Sequence, residues 1–150
     1  MEIADLGLGD IERVGFQVII YANNNRYCAK ELIMLPHQLC LEHRHPPIDE
    51  ANIGKQETFR CRWGEVYLYV PGEESPASRA LVPEIYKSCL TSHHEIILRP
   101  GDQYTLKPEE KHWFQAGPQG AVLSEFSSTS VDEEDIYTDP RVIRMPSIED

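Results

Sequence analysis

The chain contains no apolar run near the roughly twenty residues that a membrane-spanning helix requires. Positive charge is scarce: 14 Lys and Arg stand against 25 Asp and Glu, a formal net charge of −11. Nucleic acid and anionic membrane both select clustered Lys and Arg, so neither is an expected partner. The four cysteines (Cys28, Cys40, Cys61, Cys89) show no CxxC spacing. Free buried thiols in a reducing cytoplasm are therefore expected, rather than a disulfide scaffold. Met1 to Asp5 lacks a basic stretch leading into an apolar one, so no signal peptide is read and a cytoplasmic location is expected. Also missing is any long apolar stripe with helical period.

What is present favours strands. Eleven prolines, nine glycines and seven tyrosines punctuate short β-branched and aromatic runs across 150 residues, a length that suits one domain. Strands are expected over residues 15–21, 27–35, 39–45, 55–63, 65–70, 95–98 and 103–106. Gly64-Glu65 is read as a tight turn, and 112–116 and 121–126 as a hairpin around Gly117-Pro118-Gln119-Gly120. Residues 73–91 read as a surface excursion. The pattern is that of an all-β sandwich or barrel. The division expected is an N-terminal segment over 1–14, a β-barrel over 15–130 and an acidic tail over 131–150.

The chemistry concentrates in histidines. In Glu42-His43-Arg44-His45 two imidazoles lie two apart on a strand, so they share a face, together with Leu39 and Leu41. Glu57 lies inside a strand beside apolar Phe59, where a carboxylate is costly to bury without a cation. His112 follows a proline-containing turn. Three imidazole nitrogens and one carboxylate suit manganese, iron, nickel, cobalt or zinc. Four protein ligands leave positions open for a substrate's oxygens. Glu42, Asp49 and Glu50 are expected to be solvated charges, and His37, His93 and His94 to be solvated loop histidines.

The order of these residues resembles the cupin superfamily, whose motifs are matched by His43, His45, Glu57 and Gly64, then by Gly101, Pro108 and His112. The gap from His45 to Glu57 is longer than is usual there and places a loop at the mouth of the site. The wording is closer still to the D-lyxose isomerase family. Glu42-His43-Arg44-His45-Pro46-Pro47, Gly54-Lys55-Gln56-Glu57-Thr58-Phe59-Arg60-Cys61-Arg62-Trp63-Gly64-Glu65 and Lys111-His112-Trp113-Phe114-Gln115-Ala116-Gly117 carry the likeness, with Arg26-Tyr27-Cys28 and Ser127 to Ser130. It spans about Gly7 to Arg141. Members are expected to carry a further N-terminal segment.

The resemblance implies a single-domain cupin jelly-roll β-barrel, a manganese-dependent homodimer, and interconversion of D-lyxose with D-xylulose and of D-mannose with D-fructose. It implies metal ligation by His43, His45, Glu57 and His112, and Glu125 as the proton-transfer base. Independently, Lys55 shares the face of Glu57, and its ammonium suits an enediolate oxygen. Alternation groups Ala121, Leu123 and Glu125 but does not say which face is inward. Tyr27, Lys30, Phe59 and Gln115 are candidates for binding sugar hydroxyls and C–H edges. Alternation sets Trp113 and Gln115 opposite His112, which favours sheet support or a dimer contact for that pair. Cobalt, nickel, iron and zinc are alternative ions. An iron-dependent cupin dioxygenase and a non-catalytic sugar-binding cupin are the rival readings.

Overall fold

The computed structural model describes residues 1–145; the last five residues of the expected acidic tail lie outside the described residues. The strands are β1 (Glu2–Ala4), β2 (Phe16–Asn23), β3 (Cys28–Met34), β4 (Leu39–Arg44), β5 (Glu57–Val70), β6 (His94–Leu98), β7 (Gln103–Leu106), β8 (His112–Ser127) and β9 (Ile136–Tyr137). One short helix, α1 (Glu84–Lys87), and a 3-10 turn at Asp132–Glu134 interrupt them.

Two long strands organise the whole. β5 and β8 pair antiparallel from Glu57↔Ser127 to Tyr69↔Trp113. At one end β8 also pairs with β3, and β5 with β7. At the other end β8 pairs with β4, and β5 with β6. The result is a single curled sheet whose two halves face each other. Between them lies a core of Val18, Leu32, Met34, Phe59, Leu68, Phe114 and Leu123 with their neighbours.

Both long strands correct an expectation. Gly64-Glu65 is not a turn that ends a strand, and residues 112–126 do not fold into a hairpin. Each is one strand bent in the middle, because both halves of β8 find the same partner, β5. Gly64 and Gly120 meet at this bend with φ of 72° and 85°. A Cβ on Gly64 would lie 2.1 Å from the Gly120 carbonyl oxygen. Only glycine supplies both the left-handed backbone and the clearance.

The outer face of β4, β5 and β8 carries a second core. Leu39, Leu41, Tyr67, Tyr69 and Trp113 are covered by Leu6 and Val14 of the N-terminal segment and by Tyr86 and Leu90 of the 73–91 excursion. Trp113 stacks on Tyr69 with ring centroids 3.8 Å apart. The excursion therefore includes a packed element rather than surface chain alone. Residues 1–14 contribute β1, paired to β2, and the tail contributes β9, paired to β4.

Gly64→Ala is expected to destabilise the protein by about 2 kcal/mol, the upper end of the cost of left-handed strain. Its thermal midpoint should fall by about 4–8 °C for a chain of this size. A midpoint equal to that of the unsubstituted protein would show that the bend relaxes freely.

Candidate metal centre

His43 of β4 and His45, the residue after the strand ends, reach the inner face through a β-bulge. Cys40 pairs with Phe114 and His43 with His112, so β4 spends one residue more than β8 over the same span. Strict alternation would put Leu39, Leu41, His43 and His45 on one side. Instead Leu39 and Leu41 join the outer core, while Cys40, His43 and His45 line the inner pocket. The extra residue re-aims the side chains, as bulges beside functional sites do.

The bulge also buries Glu42 completely, against the expectation of a solvated charge. Its carboxylate accepts hydrogen bonds from Thr91 N, Thr91 Oγ1, Ser92 N and Thr138 Oγ1, each at 2.8 Å. Burial pushes its pKa up, but these donors outweigh burial and hold it below the ordinary value. Glu42 thus ties β4 to the 73–93 excursion and to the chain following β9.

His43, His45, Glu57 and His112 converge from β4, β5 and β8, and one ligand atom from each lies within 4.8 Å of the others. All four are buried. His43 Nδ1 lies 2.8 Å from the Leu41 carbonyl, and His112 Nδ1 lies 2.9 Å from the Glu110 carbonyl. A carbonyl only accepts, so each Nδ1 carries the proton and each Nε2 carries a lone pair. His112 Nε2 lies 3.0 Å from Glu57 Oε1, yet it is a buried nitrogen with no hydrogen-bond partner. A lone pair set against a carboxylate oxygen in a dry pocket calls for a cation between them. The donor set fits a borderline divalent metal.

The remaining charges alternate in sign along the pocket wall. Lys55 Nζ lies 2.6 Å from Glu57 Oε2 and 2.9 Å from Glu125 Oε1. Burial works against its charge, but Glu125 and then Glu57 hold its pKa well above the usual lysine value. Glu125 faces inward, paired across strands with Lys30 on one side and Phe59 on the other. Lys30 Nζ in turn binds Ser130 Oγ at 3.1 Å and the Asp132 carboxylate at 2.9 Å. Burial would raise Asp132, but Lys30 and then Lys55 hold it below the ordinary aspartate value. For His43, burial first, then the neighbouring His112 and His45, push the pKa well down and favour the neutral ring that a metal needs. Burial raises Glu57 in the same way, but Lys55 and then His45 hold it well below the ordinary value.

The space between these walls, counting its open mouth, is about 400 Å³. Lys30, Lys55, Phe59 and Glu125 line it, as do His43, His45 and Glu57. Two candidates do not. Tyr27 precedes β3 and is 52% exposed, outside the barrel. Gln115 lies on the outer face of β8, where its Nε2 donates to the carbonyls of His37 and Leu81 and its Oε1 accepts from Leu81 N. It supports the sheet, as alternation away from His112 requires. Four lining residues from the tail went unread in the sequence: Asp132, Asp135, Tyr137 and Arg144. They belong to the acidic tail, which folds back onto β4, and an acidic run without periodicity gives no local sign of burial.

The D-lyxose isomerase family profile matches residues 1–150. The chain belongs to the D-lyxose isomerase family. A D-lyxose ketol-isomerase from Thermofilum sp. (strain ex4484_79) is 60% identical over 148 residues, covering 99% of this chain and 82% of that protein. A D-lyxose/D-mannose isomerase from Thermosediminibacter oceani is 56% identical over 150 residues, covering 100% and 82%. Among solved structures, the L-ribose isomerase of Cellulomonas parahominis without ligand superposes with a TM-score of 0.75 at 15% identity, covering 91% of this chain and 74% of that one. The L-ribose isomerase of Acinetobacter sp. DL28 in complex with L-ribose gives 0.74 at 15% identity, covering 86% and 72%. These neighbours share the cupin-like fold, and the family makes this chain an aldose–ketose isomerase. No helix among the described residues is long and apolar enough to cross a membrane.

Burial opposes charge on His45, but Glu57 and then Asp135 lift its pKa from 6.5 to about 9. That protonated pairing stabilises metal-free protein fully below pH 6.5 and is lost as pH rises through 9. Chelator-stripped protein is therefore expected to lose thermal stability across this window. Divalent cation, which competes with the same proton, should bind more tightly as pH rises. Melting curves that do not move between these pH values would remove His45 as the titrating ligand.

Proposed function

We propose that this chain interconverts D-lyxose with D-xylulose, and D-mannose with D-fructose, through an enediol, with manganese as its working metal. The observation that carries the reading is the row Glu57–Lys55–Glu125 beside three imidazoles. Support also comes from relatives above half identity whose names specify D-lyxose and D-mannose.

The reaction moves one proton from C2 to C1 and one from O2 to O1. A metal held by His43, His45, Glu57 and His112 supplies Lewis-acid polarisation of the carbonyl and charge for the developing oxyanion. The base is then decided between two neighbours. Lys55 is buried between carboxylates and keeps its proton, so it cannot take one from carbon. Glu125 is the carboxylate within its reach that is not a ligand, and it takes the C2 proton and returns it to C1. Lys55, hydrogen-bonded to Glu125 and Glu57, keeps its charge and donates hydrogen bonds to the enediolate oxygens while the O2 proton moves to the adjacent O1. Lys30 and Asp132, a donor and an acceptor further along the wall, read the sugar's distal hydroxyls. Phe59 offers an apolar edge to the C–H faces.

The decisive experiment strips the protein with a chelator and re-adds each divalent ion in turn, with D-lyxose, D-mannose and D-xylose as substrates. Manganese is expected to restore ketose formation from D-lyxose most strongly, and no ketose with any ion would overturn the reading. Glu125→Gln should cut turnover by about 10²–10⁴, the range for loss of a general base. Its metal content should stay at the level of the unsubstituted enzyme. Retained turnover would take Glu125 out of the mechanism.

A further inference from the structure

The three imidazoles of the centre are oriented in two different ways. His43 and His112 are each fixed by a main-chain carbonyl two residues earlier in the chain. Those contacts are local and come with the strands. His45 is fixed by a side chain: its Nδ1 lies 2.5 Å from Asp135 Oδ1, 90 positions further on. The Asp135 side chain is only 8% exposed. Aligned this way, the Asp135 carboxylate accepts from Nδ1 and turns Nε2 towards Glu57 Oε1, 3.0 Å away.

Asp135 reaches this position because its segment docks on β4, with further anchors from Lys30 to Asp132 and from Glu2 to Arg144. β9 pairs through Tyr137 with His43 and through Ile136 with Arg44. Tyr137 stacks on the His43 ring with centroids 5.0 Å apart. Thr138 N donates to the Glu42 carbonyl at 3.0 Å, and Arg144 binds Asp132 at 3.1 Å. Together these contacts join the segment 131–145 to the metal-bearing strand, to β1 and β3, and to itself.

We propose that Asp135 is a positioning residue for the metal centre, and that through it metal affinity and docking of residues 131–145 are coupled. The proposal rests on the reading that His43, His45, Glu57 and His112 hold a divalent cation. A carboxylate behind a ligating imidazole fixes the tautomer and makes the facing nitrogen a stronger donor. Because only the docked segment supplies that carboxylate, cation bound at Nε2 favours docking, and docking favours the cation by the same factor.

The test measures Mn²⁺ binding to chelator-stripped protein by competition with a metallochromic dye, without substrate. Asp135→Ala is expected to weaken Mn²⁺ binding by about 10–100-fold, the effect typical of removing such an outer partner. Asp135→Asn should recover part of it, since the amide oxygen still accepts from Nδ1. Hydrogen exchange supplies the second readout: Mn²⁺ should slow exchange across 131–145 in the unsubstituted protein, and less so in Asp135→Ala. Equal Mn²⁺ affinity in the unsubstituted protein and Asp135→Ala would overturn the positioning role. If the alanine variant does not fold, exchange in the unsubstituted protein decides, and rates across 131–145 that ignore Mn²⁺ would overturn the coupling. Unsubstituted protein that binds no Mn²⁺ would instead sink the four-ligand reading, and this proposal with it.

Discussion

A buried carboxylate aimed at imidazole lone pairs is the constraint around which the molecule is arranged. Glu57 is 1% exposed, and taking an ionised carboxylate out of water costs several kcal/mol even after relaxation. Lys55 offsets part of that cost at one oxygen, and the histidines face the other. A cation would complete the balance, because His112 Nε2 has no proton to offer and no other partner. The strands that carry these groups are β4, β5 and β8, and the pairings among them are what close the curled sheet.

The same arrangement suits the site to proton transfer as well as to holding a metal. Carboxylate and ammonium alternate from Glu57 through Lys55 and Glu125 to Lys30 and Asp132, so each negative group has a positive neighbour. In the proposed reaction Glu125 is the member free to act as base, since Glu57 belongs to the four-residue cluster and Asp132 is held by Lys30 and Arg144. The scaffold beneath is shared with L-ribose isomerases at 15% identity, so the barrel tolerates wide change. The chemistry belongs to the residues set into it.

The tail turns an open barrel end into a pocket. Asp132, Asp135, Tyr137 and Arg144 wall the cavity, and Glu42 anchors the chain that delivers them. Glu42 and Asp135 both look like ordinary surface charge in the sequence. Each is buried because it satisfies donors brought from far along the chain, and no local pattern records such partners.

Features that depend on neighbours along the chain were legible in the residues alone. The short-period strands, the proline-marked loops and the spacing of His43, His45, Glu57 and His112 could all be read, since side-chain alternation and ligand chemistry are local properties. Lys30, Leu32 and Met34, or Glu57, Phe59 and Cys61, share faces as a period of two requires. Contacts between distant segments fixed the rest. Gly64 and Gly117–Gly120 resemble turns, yet become bends because β5 and β8 pair on both sides of them. Leu41 parts from His43 because a bulge inserts one residue opposite β8. Glu125 points inward because its strand lies between β3 and β5, and Asp135 reaches His45 because β9 pairs with β4. Pairing partners and bulges are set by contacts between distant segments, and these are settled by which faces can be buried together.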